Sequence, residues 1–128
     1  MKLLLDTHIW LWTIREPERL GRRVHQELRN SNNEVWLSPI SVWEAFMLMR
    51  KGRILIHIDL GSWLEEATAK LREAVLTHEI VIAAERLQLH ADPADRFLAA
   101  TAKVLDLTLV TADERLLGLG DIATLSNR

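Results

Sequence analysis

The sequence predicts an α/β fold built on a short, mostly parallel sheet flanked by helices. Three observations carry this expectation. Apolar runs of strand length at 3–5, 35–37 and 108–110 alternate with segments of helical periodicity. Each run stops at residues that turn a chain or cap a helix: Asp6, then Ser38-Pro39, then Thr111-Ala112-Asp113. The composition, 48% hydrophobic and 27% charged over 128 residues, is that of a chain that builds its own core.

In order, Leu3, Leu4 and Leu5 form the first buried strand, and 8–14 reads as a helix. Residues 22–30 form a polar helix ended by Ser31-Asn32-Asn33. Val35, Trp36 and Leu37 form the second strand. Ser38-Pro39-Ile40 then turns the chain, and Ser41 opens a helix through 49 that stops near Gly52. Segment 60–71 is amphipathic, with Leu60, Leu64, Ala67 and Leu71 on one stripe. A short strand is expected at 74–76, followed by a helix opened by Thr77 or His78 and running through 89. Asp92-Pro93 is a strong helix start, an N-cap aspartate before a proline at the first helical position, and that helix runs to about Leu105. Thr108, Leu109 and Val110 form a third buried strand, and 122–125 a last edge strand.

No repeat, low-complexity tract or linker divides the chain, so one domain over 1–128 is expected. The lack of cysteine excludes disulfides, thiolate metal sites, iron–sulfur clusters and a thiol nucleophile. Apolar runs are far too short to span a membrane. The opening residues resemble a signal peptide only until Asp6 and His8 interrupt them, so the expected compartment is the cytoplasm. A net charge of −2 excludes a polycation. The sixteen basic residues are nonetheless arginine apart from Lys2, Lys51, Lys70 and Lys103, with local concentrations at 15–29 and 50–53.

Four carboxylates are awkwardly placed for surface residues. Asp6 and Asp113 follow predicted strands and so fall at the carboxyl edge of the sheet, where α/β folds bind ligands. Glu44 stands among Val42, Trp43, Phe46 and Met47, and Asp95 heads a stripe with Leu98, Ala99, Ala102 and Leu105. Each also has a local explanation. Ser41 to Glu44 fits a capping box, Asp95 suits the positive end of its helix, Asp6 can cap the next helix, and Asp113 can hold a turn. Together, four acids at one edge repel one another unless something cationic lies between them. Carboxylate oxygens are the donors that Mg²⁺ and Mn²⁺ prefer.

The series Leu3-Leu4-Leu5-Asp6-Thr7-His8, Ser38-Pro39-Ile40-Ser41-Val42-Trp43-Glu44, His90-Ala91-Asp92-Pro93-Ala94-Asp95-Arg96 and Leu109-Val110-Thr111-Ala112-Asp113 resembles the PIN-domain ribonucleases. Within them it is most similar to the VapC-type toxins of prokaryotic toxin–antitoxin pairs. The likeness covers residue 2 to about 125, with mild departures at Ala94 and in the arginine-rich early segment. It implies a PIN-like three-layer sandwich and an Mg²⁺- or Mn²⁺-dependent endoribonuclease whose acidic site falls on Asp6, Glu44, Asp95 and Asp113. Asp6 and Asp95 would be direct ligands, Asp113 a ligand or its support, and Glu44 a ligand or the orienter of the attacking water. Thr111 matches a hydroxyl beside that site, Arg96 would touch either a substrate phosphate or a neighbouring acid, and Asp92 reads as the helix N-cap. The implied partners are an RNA substrate, a small cognate antitoxin protein and a second copy in a homodimer.

Other classes fit less well. A phosphoacceptor receiver needs a lysine after a late strand, where this chain has Thr111-Ala112-Asp113. An Asp-x-Asp phosphatase needs a second acid where His8 stands, and phosphate-loop and dinucleotide fingerprints are missing. A non-catalytic protein-interaction module of the same fold is the remaining alternative. The five tryptophans are expected to serve the core or an oligomer interface; Trp10 and Trp12 lie two apart on one predicted helix, so they cannot point the same way and at least one is free to face a partner.

Overall fold

Lys2–Leu5 forms β1, the central strand of a computed structural model that describes residues 1–88 and 92–128. On one side β1 pairs with β2 (Glu34–Leu37), and on the other with β4 (Thr108–Thr111), both parallel. The two-residue β3 (Arg72–Glu73) lies outside β2, and β5 (Ala123–Ser126) lies outside β4. Among the described residues this gives a parallel five-stranded sheet in the order β3-β2-β1-β4-β5. The chain steps outward from β1 to β2 to β3, then returns across the sheet to β4. The order therefore reverses between β1 and β4, and a crevice opens beyond their carboxyl ends.

Alternation along the strands sends side chains to two cores. Leu3, Leu5 and Val110 join Ile9, Trp10 and Leu11 of α1 (Thr7–Arg15), Val24 of α2 (Arg22–Arg29) and Ala45 of α3 (Pro39–Arg50). Trp63 and Ala67 of α4 (Leu60–Ala67) pack against the same layer. Leu4 and Leu109 face the other layer, with Ile80 and Ala84 of α5 (His78–Arg86), Leu98, Ala99 and Ala102 of α6 (Pro93–Val104) and Leu116 of α7 (Glu114–Leu117). This is a helix–sheet–helix sandwich, as the sequence led one to expect. No described helix is long and apolar enough to cross a membrane.

The elements differ from the sequence reading in instructive places. Helix α3 begins at Pro39, not Ser41, because the Ser38 side chain accepts from the Ile40 amide at 3.1 Å and caps it. Strand β3 lies at Arg72–Glu73 rather than 74–76: it is made by backbone pairing at an edge, with Arg72 over the Trp36 ring, so apolar character does not mark it. Helix α4 ends at Ala67, short of 71, and α5 ends at Arg86; residue 89, its expected end, lies outside the described residues. The 3₁₀ turn Pro17–Arg19 and α7 are additions. Gly52 closes α3 at φ 72°, a conformation that favours glycine, where the Arg53 amide reaches back to the Leu48 carbonyl at 2.9 Å.

Candidate active site

Asp6 is the first residue beyond β1, and its backbone amide still donates to the Val110 carbonyl at 3.0 Å. The same residue caps α1, accepting from the Thr7 amide at 2.7 Å. Its other carboxylate oxygen accepts from Thr111 Oγ1 at 2.6 Å. Thr111 Oγ1 in turn accepts from the Asp113 amide at 3.0 Å, so one hydroxyl ties the end of β4 to the end of β1. Asp113 caps the short α7 by accepting from the Arg115 amide at 2.8 Å.

Glu44 arrives from α3. With Ser38 as the cap, Glu44 is the sixth helical residue, too far along to fold back on it, so the capping-box reading fails. Its carboxylate instead accepts from Thr7 Oγ1, which also lies 2.8 Å from the buried Ser41 Oγ. Asp95 is the third residue of α6, and its amide donates to the Asp92 carboxylate at 3.1 Å, as the Asp92-Pro93 start implied. The His90-Ala91 portion of that motif lies outside the described residues.

These four acids share one cavity of about 320 Å³, which Asp92, His8, Trp12 and Arg115 also line. A larger cavity, about 710 Å³, lies at the amino end of β2 beside residues 30–33 and has no comparable gathering of acids among the described residues. The crevice between β1 and β4 is thus where the sequence-predicted residues meet.

The electrostatics follow the geometry. Burial raises the Asp6 carboxyl against the lowering effect of the Thr111 and Thr7 bonds. Burial also raises Glu44, against its bond from Thr7, and Asp92 and Asp6 add to the rise. Asp95 is pushed up to about 7, first by burial and then by Asp92, Asp6, Asp113 and Glu44. Asp113 goes the other way because Arg115 bonds to it. The Arg115 guanidinium lies 3.1 Å from Asp113 and 3.6 Å from Asp95. It is the one arginine or lysine among the described residues lining the cavity, and it supplies within the chain the cation that clustered acids require.

Hard oxygen donors of this kind suit Mg²⁺ or Mn²⁺. Among the described residues no three acidic or imidazole side chains are yet gathered as a ligand set.

Of the residues the sequence points to, the structure brings Asp6, Glu44, Asp95 and Asp113 to one cavity and Thr111 against Asp6; it adds Thr7, Arg115 and Trp12, which the sequence does not single out for it. Thr7 follows directly on Asp6, and Arg115 lies two residues beyond Asp113 on a helix too short to show periodicity. Arg96 has a different position: its Nη2 donates to the Ala84 and Glu85 carbonyls at 2.6 and 3.1 Å, joining α6 to the end of α5.

The Thr111 bonds predict a measurable outcome. Thr111→Val keeps the shape but removes a donor to a carboxylate and an acceptor for the Asp113 amide. The expected loss is about 2 kcal/mol in urea unfolding, with Thr111→Ser retaining most of the stability. A Thr111→Val protein as stable as its parent contradicts the bridging role.

The chain is similar to known proteins over most of its length. A family model described as PIN domain matches residues 3–121. Ribonuclease VapC22 of Mycobacterium tuberculosis (strain ATCC 25618 / H37Rv) is 34% identical over 116 residues, covering 89% of this chain and 88% of that protein. Among solved structures, DNA-bound VapBC from Salmonella typhimurium superimposes with a TM-score of 0.76 at 17% identity, covering 98% of each chain. VapBC2 from Rickettsia felis, bound to a DNA fragment from its promoter, gives 0.75 at 18% identity and the same coverage. At such identities the structural likeness speaks for the fold.

Proposed function

Since the chain belongs to the PIN-domain family, we propose that it is a metal-dependent endoribonuclease and the toxin of a toxin–antitoxin pair. The observation that carries this reading is the convergence of Asp6, Glu44, Asp95 and Asp113 on one cavity at the point where the strand order reverses. The 34% identity to a VapC ribonuclease supports RNA as the substrate.

In this reading Asp6, Asp95 and Asp113 would hold one or two Mg²⁺ or Mn²⁺ ions. A divalent ion there supplies Lewis acidity that acidifies water and neutralises charge building on the phosphoryl oxygens. The chain's own residues do the rest. Thr111 and the Thr7 amide hold the Asp6 carboxylate in place, and Asp92 fixes the first turn that carries Asp95. Glu44, oriented by Thr7 and raised by burial, aligns the attacking water in line with the leaving oxygen and takes its proton. Arg115 bridges Asp95 and Asp113, so its guanidinium neutralises oxygens that would otherwise hold the ion.

The natural partners are a small antitoxin protein that covers the acidic cavity and a second copy of the chain. Exposed Trp43 and Met47 on α3, and Val81 and Ile82 on α5, supply apolar surface for such contacts. The whole chain works as one domain in the cytoplasm.

The test is RNA cleavage by the purified protein, with Mn²⁺ or Mg²⁺ and then with excess chelator. Cleavage with the ion that stops with chelator is expected, together with growth arrest on expression of the protein without its antitoxin. Cleavage that survives exhaustive chelation contradicts the metal chemistry. A confirmed nuclease that is harmless at high expression contradicts the toxin role.

A further inference from the structure

The acidic cavity poses a problem for its own substrate. It is lined by five carboxylates, and the chain as a whole carries a net charge of −2, so the site does not attract a polyanion. Groups other than these acids must hold RNA at the rim. The one tryptophan among the described residues lining this cavity is Trp12.

Its position follows from the helix. Asp6 caps α1, Trp10 is buried in the core against Trp63 at 5.6 Å, and Trp12, two residues on, is half-buried at the edge of that core with part of its ring on the cavity. His8 and Trp12 are four residues apart and therefore share a face, with ring centroids 6.2 Å apart and planes inclined by 32°. The Arg19 guanidinium lies 4.2 Å from the Trp12 ring centre. His8 and Arg19 are exposed and Trp12 is partly so. The arginine-rich segment singled out in the sequence thus places a cation against an aromatic at the edge of the acids. Trp36 and Trp43 also have arginines over them, at 5.8 Å, but neither lines this cavity.

We infer that His8, Trp12 and Arg19 form a subsite for an unpaired nucleobase next to the scissile phosphate. The base stacks against the His8–Trp12 pair, and Arg19 turns from the indole to the adjoining phosphate. Aromatic stacking beside a cation is how single-stranded nucleic acid is held without regard to sequence. It also acts where the acids repel the backbone. The inference rests on the ribonuclease reading and adds the part of the substrate that the acids do not touch.

The experiment uses the full-length protein with Mn²⁺ and a fluorescent single-stranded oligoribonucleotide whose cleavage position has been mapped. A set of the same oligonucleotide carries one abasic residue at each position in turn. In the parent protein, one abasic position beside the cleaved bond should raise KM about tenfold with little change in kcat. Trp12→Leu should raise KM on the intact oligonucleotide by a similar factor, and the abasic change should then add nothing further. Trp12→Phe should stay near the parent value. His8→Ala, at an exposed position, should show a smaller rise with the same lack of additivity, and it stands in if Trp12→Leu fails to fold. Full multiplication of the two effects, or a KM unmoved by Trp12→Leu, overturns the subsite while leaving the ribonuclease reading intact. A protein that cleaves no RNA at all overturns both.

Discussion

Asp6→Asn and Asp95→Asn should each slow RNA cleavage by about a hundredfold or more while the far-ultraviolet circular dichroism stays that of the parent. The replacements are nearly isosteric, so the loss reports charge rather than shape. At position 6 the asparagine oxygen can still accept from the Thr7 amide and its amide group can face Thr111, so α1 remains capped. At position 95 the side chain is not the cap of α6, since Asp92 has that role. What each variant removes is one anionic oxygen donor from the cavity. Glu79→Gln, an exposed change on α5, should leave the rate untouched. Full activity in both Asp6→Asn and Asp95→Asn places the chemistry elsewhere.

The second large effect is on stability, with the protein kept metal-free by chelator. Asp95 has a folded-state pKa of about 7 against an ordinary value of 3.8, so over that interval the folded state binds more protons than the unfolded one. Stability is therefore fully present below about 4 and is lost as pH rises through about 7. Asp6 and Glu44 are raised too and add to the loss in the same direction. Asp113 is lowered by Arg115, so its contribution acts in the opposite sense and only as pH falls through its own, lower range. Asp95→Asn should accordingly melt higher than the parent at pH 8, by about 1 kcal/mol or about 4 °C. That figure is well short of the full shift because solvent screens a half-buried carboxyl. At pH 4 the two should coincide. Mn²⁺ at about 100 times its Kd should stabilise the parent by about 2.7 kcal/mol and Asp95→Asn much less. Arg115→Gln should melt below the parent at pH 8 without metal, because the acids lose their counter-ion, yet bind Mn²⁺ more tightly. If Asp95→Asn melts lower than the parent at pH 8 and Mn²⁺ moves neither curve, these acids are helix caps and not a shared site.

The sheet and two of the four acids could be read directly from the chain. A strand that stops at an acid, as at Leu5-Asp6 and just before Asp113, puts that acid at the sheet edge in any parallel arrangement. Asp92-Pro93 fixed the start of α6 by cap chemistry alone, and thereby the position of Asp95. The same pattern, a capping residue before proline, stood at Ser38-Pro39 and marked the start of α3; taking it for a turn is what made Glu44 look like part of a capping box. These features were legible because caps, prolines and apolar runs act over a few residues. Strand β3 was misplaced because edge pairing is a property of the backbone and leaves little trace in side chains.

By itself the sequence determined the layered α/β plan, since alternation and capping are local consequences of residue type. It also brought acids to strand and helix ends, and by resemblance implied a chemistry for them. The tertiary structure alone decided that Thr7 would hold Glu44, that Thr111 would join two strand ends, and that Arg115 rather than Arg96 would face the acids. It likewise set Trp12 at the rim of the cavity and Trp10 in the core. The physical reason is that hydrogen bonds and charge pairs reach only a few ångströms. Which donor meets which carboxylate is therefore fixed only when α1, α3, α6 and α7 dock around one sheet edge.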